Sequence, residues 1–320
     1  MDGAYTISIS PHVRDGISTK KIMWAVTLAL VPAGAAGVFI FGLNSLFVIL
    51  ASIAAAVATE AVILALRKKD AGAVFDGSAV LTGLLLAYNL PPQVPIWMPI
   101  AGSFFAIAVG KQAFGGLGHN IFNPALAGRA FLMLSWPLYM TTWQNSRWKI
   151  DAVTSATPLA LYKEGEFVLM RNISHWDLLF GNRGGCIGEV CVIALLLGAA
   201  FLLLKGYITW HIPVTYAATV AVTSRAFNGT AGLFTGDILF FLMSGGLVLG
   251  AFFMATDYVT SPLSVKGKVV FGIGCGLLTF LIRKYAGYPE GVSYAILIMN
   301  AATPIIDRLT YPKWFGWRKI

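Results

Sequence analysis

The sequence predicts an all-α polytopic membrane protein, and three observations carry that prediction. Hydrophobic residues make up 57% of 320 and charged residues only 12%, about half the charged share of a soluble domain. Mean hydropathy is +0.75. The apolar residues also fall in long runs rather than ten-residue alternation, which favours helices over a transmembrane barrel. Only those two architectures satisfy their backbone inside lipid. The net charge of +9 does not imply nucleic acid, because the basic residues stand at the ends of apolar runs and anchor topology. Residues 1–21 are too polar for a cleavable signal, and the first apolar run has the length of a span rather than a short h-region.

Ten spans are expected, within a single membrane domain over 1–320. The first covers about 22–41 and the second 46–66, stopped by Arg67-Lys68-Lys69. A short third run, 78–90, breaks at Asn89-Leu90-Pro91-Pro92, and a fourth, 96–109, reaches Lys111. His119-Asn120-Ile121-Phe122-Asn123-Pro124-Ala125 opens the fifth, to about 140. After a hydrophilic excursion over 141–186 come span six (187–204, closed by Lys205) and span seven (212–226). Span eight (238–255) is interrupted by Gly245-Gly246 and Gly250, and spans nine (269–282) and ten (292–306) precede a tail over 311–320.

Alternate assignment of loops gives fourteen Lys and Arg on the side of the termini and eight on the other, with Arg129 inside a span. The positive-inside rule then makes both termini cytoplasmic and places the 141–186 loop outside the cytoplasmic (inner) membrane. A weak internal repeat relates 22–140 to 187–310: each half has a Gly-containing span that breaks and a later Asn with a following Pro. Five spans per half would invert the halves, and interrupted helices at matching places line central sites in such folds.

The polar residues inside this apolar frame are the candidates for chemistry. Asn120 and Asn123, with Pro124 at the first helical position, offer a helix N-terminus suited to a polar edge or an anionic group, or ordinary capping. Arg129, one to two turns on, is buried enough to need a partner, and a ligand contact is the favoured role. Glu60, Asp237, Asp257 and Asp307 lie in or near apolar runs, each with a structural role weighed slightly ahead of ion coupling. Asp307 is expected to pair with Arg308. Cys186, Cys191 and Cys275 form no zinc or iron–sulfur pattern and read as small buried hydrophobes. His12, His119, His175 and His211 are scattered, and neither a GxGxxG fingerprint nor a Walker loop is present.

In the long loop stands Asp151-Ala152-Val153-Thr154-Ser155-Ala156-Thr157-Pro158. One reading is a helix entry, with Thr157 as N-cap and Pro158 at the first helical position. The other is a hydroxyl presented for covalent modification. The stretch resembles the flavinylation motif of the family that contains the D-type subunit of the Rnf complex and the B-type subunit of the sodium-translocating NADH:quinone oxidoreductase. Gly184-Gly185-Cys186-Ile187-Gly188-Glu189 is similar to that family's Gly-Gly-Ser-Ile-Gly-Glu element, with Cys for Ser, and the Asn-Pro-Ala span matches as well. The Rnf branch is favoured because the first span begins near residue 22, without the longer N-terminal extension of the quinone-reducing branch.

The resemblance implies a urea-transporter-like bundle of two inverted five-helix repeats. It implies FMN bound to Thr157 through a phosphoester, with Asp151, Thr154, Ser155 and Ala156 as the motif. Gly185 and Glu189 are expected as further flavin contacts, with Asn120, Asn123 and Arg129 as candidates beside them. An outer flavin alone cannot hand electrons across a hydrocarbon layer of about 30 Å, so a second redox group is expected within the bundle or in a neighbouring subunit. The resemblance implies that it is a non-covalent flavin, with riboflavin as the candidate. The implied partners are Rnf subunits A, B, C, E and G, a flavin transferase for maturation, and membrane lipid. The implied activity is ion-translocating (Na+ or H+) ferredoxin:NAD oxidation–reduction. A quinone-reducing complex and a small-solute channel are the competing functions.

Overall fold

A computed structural model describes residues 17–69, 71–144, 146, 157–165, 174–228, 232–287 and 290–311. Every regular element among them is helical. Helix α1 (Thr19–Phe41) is capped by Ser18, whose side chain accepts from the Lys21 amide, and a single glycine, Gly42, separates it from α2 (Leu43–Leu66). Then come α3 (Ser78–Tyr88), α4 (Trp97–Ile107), which runs into a π-helical turn (Ala108–Gln112), α5 (Pro124–Ser135) and α6 (Pro137–Thr141). The loop holds α7 (Pro158–Glu164) and α8 (His175–Phe180). The second half comprises α9 (Val192–Leu204), α10 (His211–Phe227), α11 (Ile238–Met243), α12 (Leu247–Leu249), a second π-turn (Gly250–Met254), α13 (Val265–Tyr285) and α14 (Val292–Thr310).

Three of these, α1, α2 and α13, are long and apolar enough to cross a membrane by themselves, and α3 and α9 are shorter apolar helices. The expected interruptions fall where the sequence places them. The third run ends at Tyr88, and the eighth breaks at Gly245 and Gly246, both at φ +64. Two of the differences from expectation have a clear physical cause. The fifth run splits at Trp136 because Pro137 cannot continue α5. Helix α9 starts at Val192 rather than near 187, because the preceding backbone is used elsewhere. The Ile187 amide donates to the Leu90 carbonyl at 3.0 Å and the Gly188 amide to the Tyr88 carbonyl at 3.0 Å. Those carbonyls close α3, and a helix end in an apolar interior needs such partners.

Packing recurs between the halves. In the first, α2 packs on α3 and α4, and α4 on α5; in the second, α10 packs on α11 and α13, and α13 on α14. Helix α1 meets α9, and α5 meets α14, across the seam between them. Small residues permit the close approach. Gly272 and Gly276 of α13 face Thr215 and Thr219 of α10, and the Tyr216 hydroxyl lies 2.6 Å from Thr279 Oγ1 there. The Ser52 hydroxyl donates to the Gly83 carbonyl at 2.7 Å and lies 2.9 Å from Ser103 Oγ, tying α2, α3 and α4.

The α1–α9 seam is tight at Gly198, where a Cβ would collide with the Ala29 carbonyl oxygen. Gly198→Ala should therefore destabilise the protein by about 1–3 kcal/mol, the usual penalty of overpacking. Gly287→Ala, with open space around it, should not. Thermal unfolding of both variants in detergent would measure the difference.

Candidate functional site

Two polar sites are buried in this apolar frame, and the residues singled out in the sequence divide between them. The first is a cleft at the seam, lined by Ser78, Thr82, Lys111, Asn120, Asn123 and Asp257 among others. Asn123 caps α5 as its sequence predicts: Oδ1 accepts from the amides of Ala125 (3.1 Å) and Leu126 (3.4 Å). Its Nδ2 donates to the Met254 carbonyl at 3.3 Å, across the seam. Asn120 is also buried, with Nδ2 donating to the Phe122 carbonyl at 3.1 Å. Asp257 accepts from the Thr260 hydroxyl at 3.0 Å.

Lys111, by its sequence an anchor at the membrane surface, is instead 1% exposed. Its Nζ lies 2.6 Å from Glu60 Oε1 and donates to Ser78 Oγ at 2.5 Å, while Gln112 Nε2 donates to the same carboxylate oxygen at 2.8 Å. A charge at the end of an apolar run can snorkel to water or turn inward to a partner. Glu60, near the C-terminal end of α2, supplies the partner here.

The second site gathers around the break between α11 and α12. Glu189 Oε1 accepts from the Cys186 amide at 3.1 Å, folding the Gly184–Glu189 element back on itself. Its Oε2 lies 2.6 Å from where a Cβ would stand on Gly246, a position whose φ of +64 favours glycine. The Cys186 thiol donates to the Asn89 carbonyl at 3.3 Å. Gly185 is buried beside Glu189. Arg129 pairs with Glu290, donates to Asn89 Oδ1 at 2.9 Å and to Ser293 Oγ at 2.8 Å, and thus joins α3, α5 and the start of α14.

Sequence reasoning misses three members of this site. Arg283 and Glu290 flank a stretch that reads as an outer loop, and Arg183 reads as one more charge of the long loop. Arg283 donates to the carbonyls of Phe241 (2.8 Å), Ser244 (2.9 Å), Gly245 (3.2 Å) and Glu290 (3.3 Å). Arg183 donates to those of Glu189 (3.3 Å) and Met243 (2.7 Å). Without Lys111, Arg183 and Arg283, all buried, the loop charges stand at thirteen against six, so the sense of the bias is unchanged.

Thr157 is the N-cap of α7, with Pro158 at the first helical position and Oγ1 accepting from the Ala160 amide at 3.2 Å. It is 4% exposed. Leu159 of α7 packs into Gly245, whose Cβ position is also 3.3 Å from Arg283 Nη2. The helix that carries Thr157 therefore rests on the same turn as Glu189. Asp151, Thr154, Ser155 and Ala156 lie outside the described residues. Asp307 accepts from the Leu263 amide at 3.1 Å, and no Asp307–Arg308 ion pair occurs among the described residues. Asp237 caps α11 and contacts His175 Nε2 at 2.8 Å.

Cys186, Glu189 and Glu290 bring three potential ligand atoms within 4.8 Å of one another. The guanidinium of Arg129 is paired with Glu290, while Arg183 and Arg283 are bound to backbone carbonyls of the same site. Positive charge this close to the carboxylates opposes a metal ion.

The family model described as "NQR2, RnfD, RnfE family" matches residues 6–316. The chain belongs to this family. It is 52% identical to the D-type subunit of the "Proton-translocating ferredoxin:NAD(+) oxidoreductase complex" of Clostridium ljungdahlii, over 98% of this chain and 97% of the relative. The D-type subunit of the "Na(+)-translocating ferredoxin:NAD(+) oxidoreductase complex" of Acetobacterium woodii is 50% identical, over 98% and 96%. The D-type subunit of the "Ion-translocating oxidoreductase complex" of Stutzerimonas stutzeri is 40% identical, over 93% and 92%.

Removing one member of a buried pair leaves a bare charge in the interior, typically at about 3–5 kcal/mol. Lys111→Met should destabilise by that amount, and Lys111→Met combined with Glu60→Gln should recover most of it. Parallel melting curves of the single and double variants would establish the coupling.

Proposed function

We propose that this chain is the D-type membrane subunit of an ion-translocating ferredoxin:NAD oxidoreductase and carries electrons through FMN esterified to Thr157. The observation that carries the reading is the meeting of two separate sequence elements at one turn. Leu159, two residues after Thr157, packs on Gly245, and Glu189 packs on Gly246. A flavin tethered at Thr157 would be held between α7 and the Gly184–Glu189 element, with Arg129, Arg183 and Arg283 supplying positive charge nearby. FMN supplies the redox chemistry when bound; the chain's own residues place it, shield it and set its electrostatics. Because the Thr157 hydroxyl is covered, attachment requires α7 to lift from the turn, or precedes its packing.

The seam cleft, with Asn120 and Asn123 on its wall, is the place for the second, non-covalent flavin, riboflavin. Asn120 Oδ1 and the cleft's mixed polar and apolar lining suit a planar heteroaromatic ring. Placed at two depths, such groups divide a distance that one alone would not span. The recurring packing of the halves supports ten spans in two inverted repeats of five, as in urea transporters. The charge bias supports a cytoplasmic location for both termini and an outer location for Thr157, across the inner membrane. Rnf subunits A, B, C, E and G are the assembly partners, and a flavin transferase acts on Thr157.

The relatives named for protons and for sodium match this chain almost equally, at 52% and 50%, so the proposal covers cation translocation as a class. Both are named for ferredoxin:NAD chemistry, which favours that activity over quinone reduction or solute passage.

The protein coexpressed with a flavin transferase should fluoresce in a denaturing gel. Thr157→Asn keeps an N-cap acceptor, Asn being among the best, but has no hydroxyl to esterify. It should insert and fold while its band stays dark. A dark parent band with no added mass on the Thr157 peptide would overturn the assignment.

A further inference from the structure

We propose that Arg183, Glu189 and Ser244 recognise the pyrimidine edge of a flavin ring, an inference that rests on the flavin assignment above. The starting point is a set of buried groups with no partner. Arg183 Nε, Glu189 Oε2 and Ser244 Oγ are all inaccessible and make no hydrogen bond. Their residues are 6%, 4% and 0% exposed. Interior donors and acceptors are rarely left unmet, and each such group calls for a partner.

The three converge on one turn. Arg183 donates to the Met243 carbonyl at 2.7 Å, immediately before Ser244. Glu189 Oε2 reaches the Cβ position of Gly246 at 2.6 Å. Arg283 fixes the intervening backbone through the Ser244 and Gly245 carbonyls. The set therefore offers two donors, a guanidinium N–H and a hydroxyl, and one carboxylate acceptor. The pyrimidine edge of an isoalloxazine presents the complement: two carbonyl oxygens flanking one N–H. A phosphate would use the donors but would be repelled by the carboxylate, and a cation would face the reverse difficulty.

Leu159 is an apolar side chain packed against this turn, beside Arg283 and Glu189. A ring tethered two residues away at Thr157 reaches the turn by exchanging places with it. No charge is left over by the exchange, because the ring edge is neutral.

The test uses flavinylated protein in detergent, with infrared difference spectra of the flavin carbonyls and redox titration as readouts. Ser244→Ala, the mildest change, should shift a carbonyl stretching band to higher frequency while leaving the fluorescent band in the gel intact. Glu189→Gln should raise the flavin potential and Arg183→Gln should lower it, since each removes a charge of opposite sign. Retained flavin with unchanged carbonyl bands in Ser244→Ala and unchanged potentials in both charge variants would overturn the proposal, leaving the unmet groups to water. Loss of the covalent flavin from the parent protein would instead overturn the assignment on which it rests.

Discussion

The pairing of Arg129 with Glu290 is the constraint on which the rest of the structure depends. An unpaired charge within a membrane-embedded bundle is costly, so neither residue can be held there without the other. Arg129 belongs to α5 and Glu290 stands just ahead of α14, in opposite halves of the chain. The same guanidinium fixes Asn89 at the end of α3 and Ser293 in α14. One ion pair thus ties the two halves together where α5 meets α14, and donors and acceptors from α3 and α14 are gathered around it.

Asn89 extends that arrangement toward the cleft. Its side chain accepts from Arg129 and donates to the Leu85 carbonyl at 2.7 Å, with Met254 Sδ at 3.7 Å. Its own carbonyl accepts from Cys186. The Met254 carbonyl in turn receives Asn123. A continuous polar seam therefore runs from the turn under α7, through Glu189, Cys186, Asn89 and Met254, to the wall of the cleft. Two sites that the sequence presents as unrelated motifs thus share one set of supports.

Local chemistry is legible in the sequence wherever the signal is itself local. Asn123-Pro124 and Thr157-Pro158 read as helix entries and are helix entries, because the capping acceptor and the following proline act within one turn. The breaks at Asn89 and at Gly245-Gly246 are equally plain. Long-range partners are not. Lys111, Arg183 and Arg283 each flank an apolar run, and the same pattern describes a surface anchor or a charge folded inward. The choice depends on Glu60, on Glu189 and on bare carbonyls at the α11–α12 break, which are distant in sequence or hidden in the fold. Proximity along the chain groups Arg129 with Asn120 and Asn123, yet its side chain turns to the other site, where it pairs with Glu290.

Tyr88 shows what such close fitting entails over evolutionary time. Its ring is clamped between Gly34 and Gly188, either of which would collide with it if given a Cβ, and its hydroxyl donates to the Leu30 carbonyl at 2.8 Å. Three positions on three separate segments are thereby locked into one shape. None can drift alone: a smaller ring would open a void, and a larger neighbour would expel the ring. The family should therefore change these positions together or not at all, leaving a correlated signature among its members.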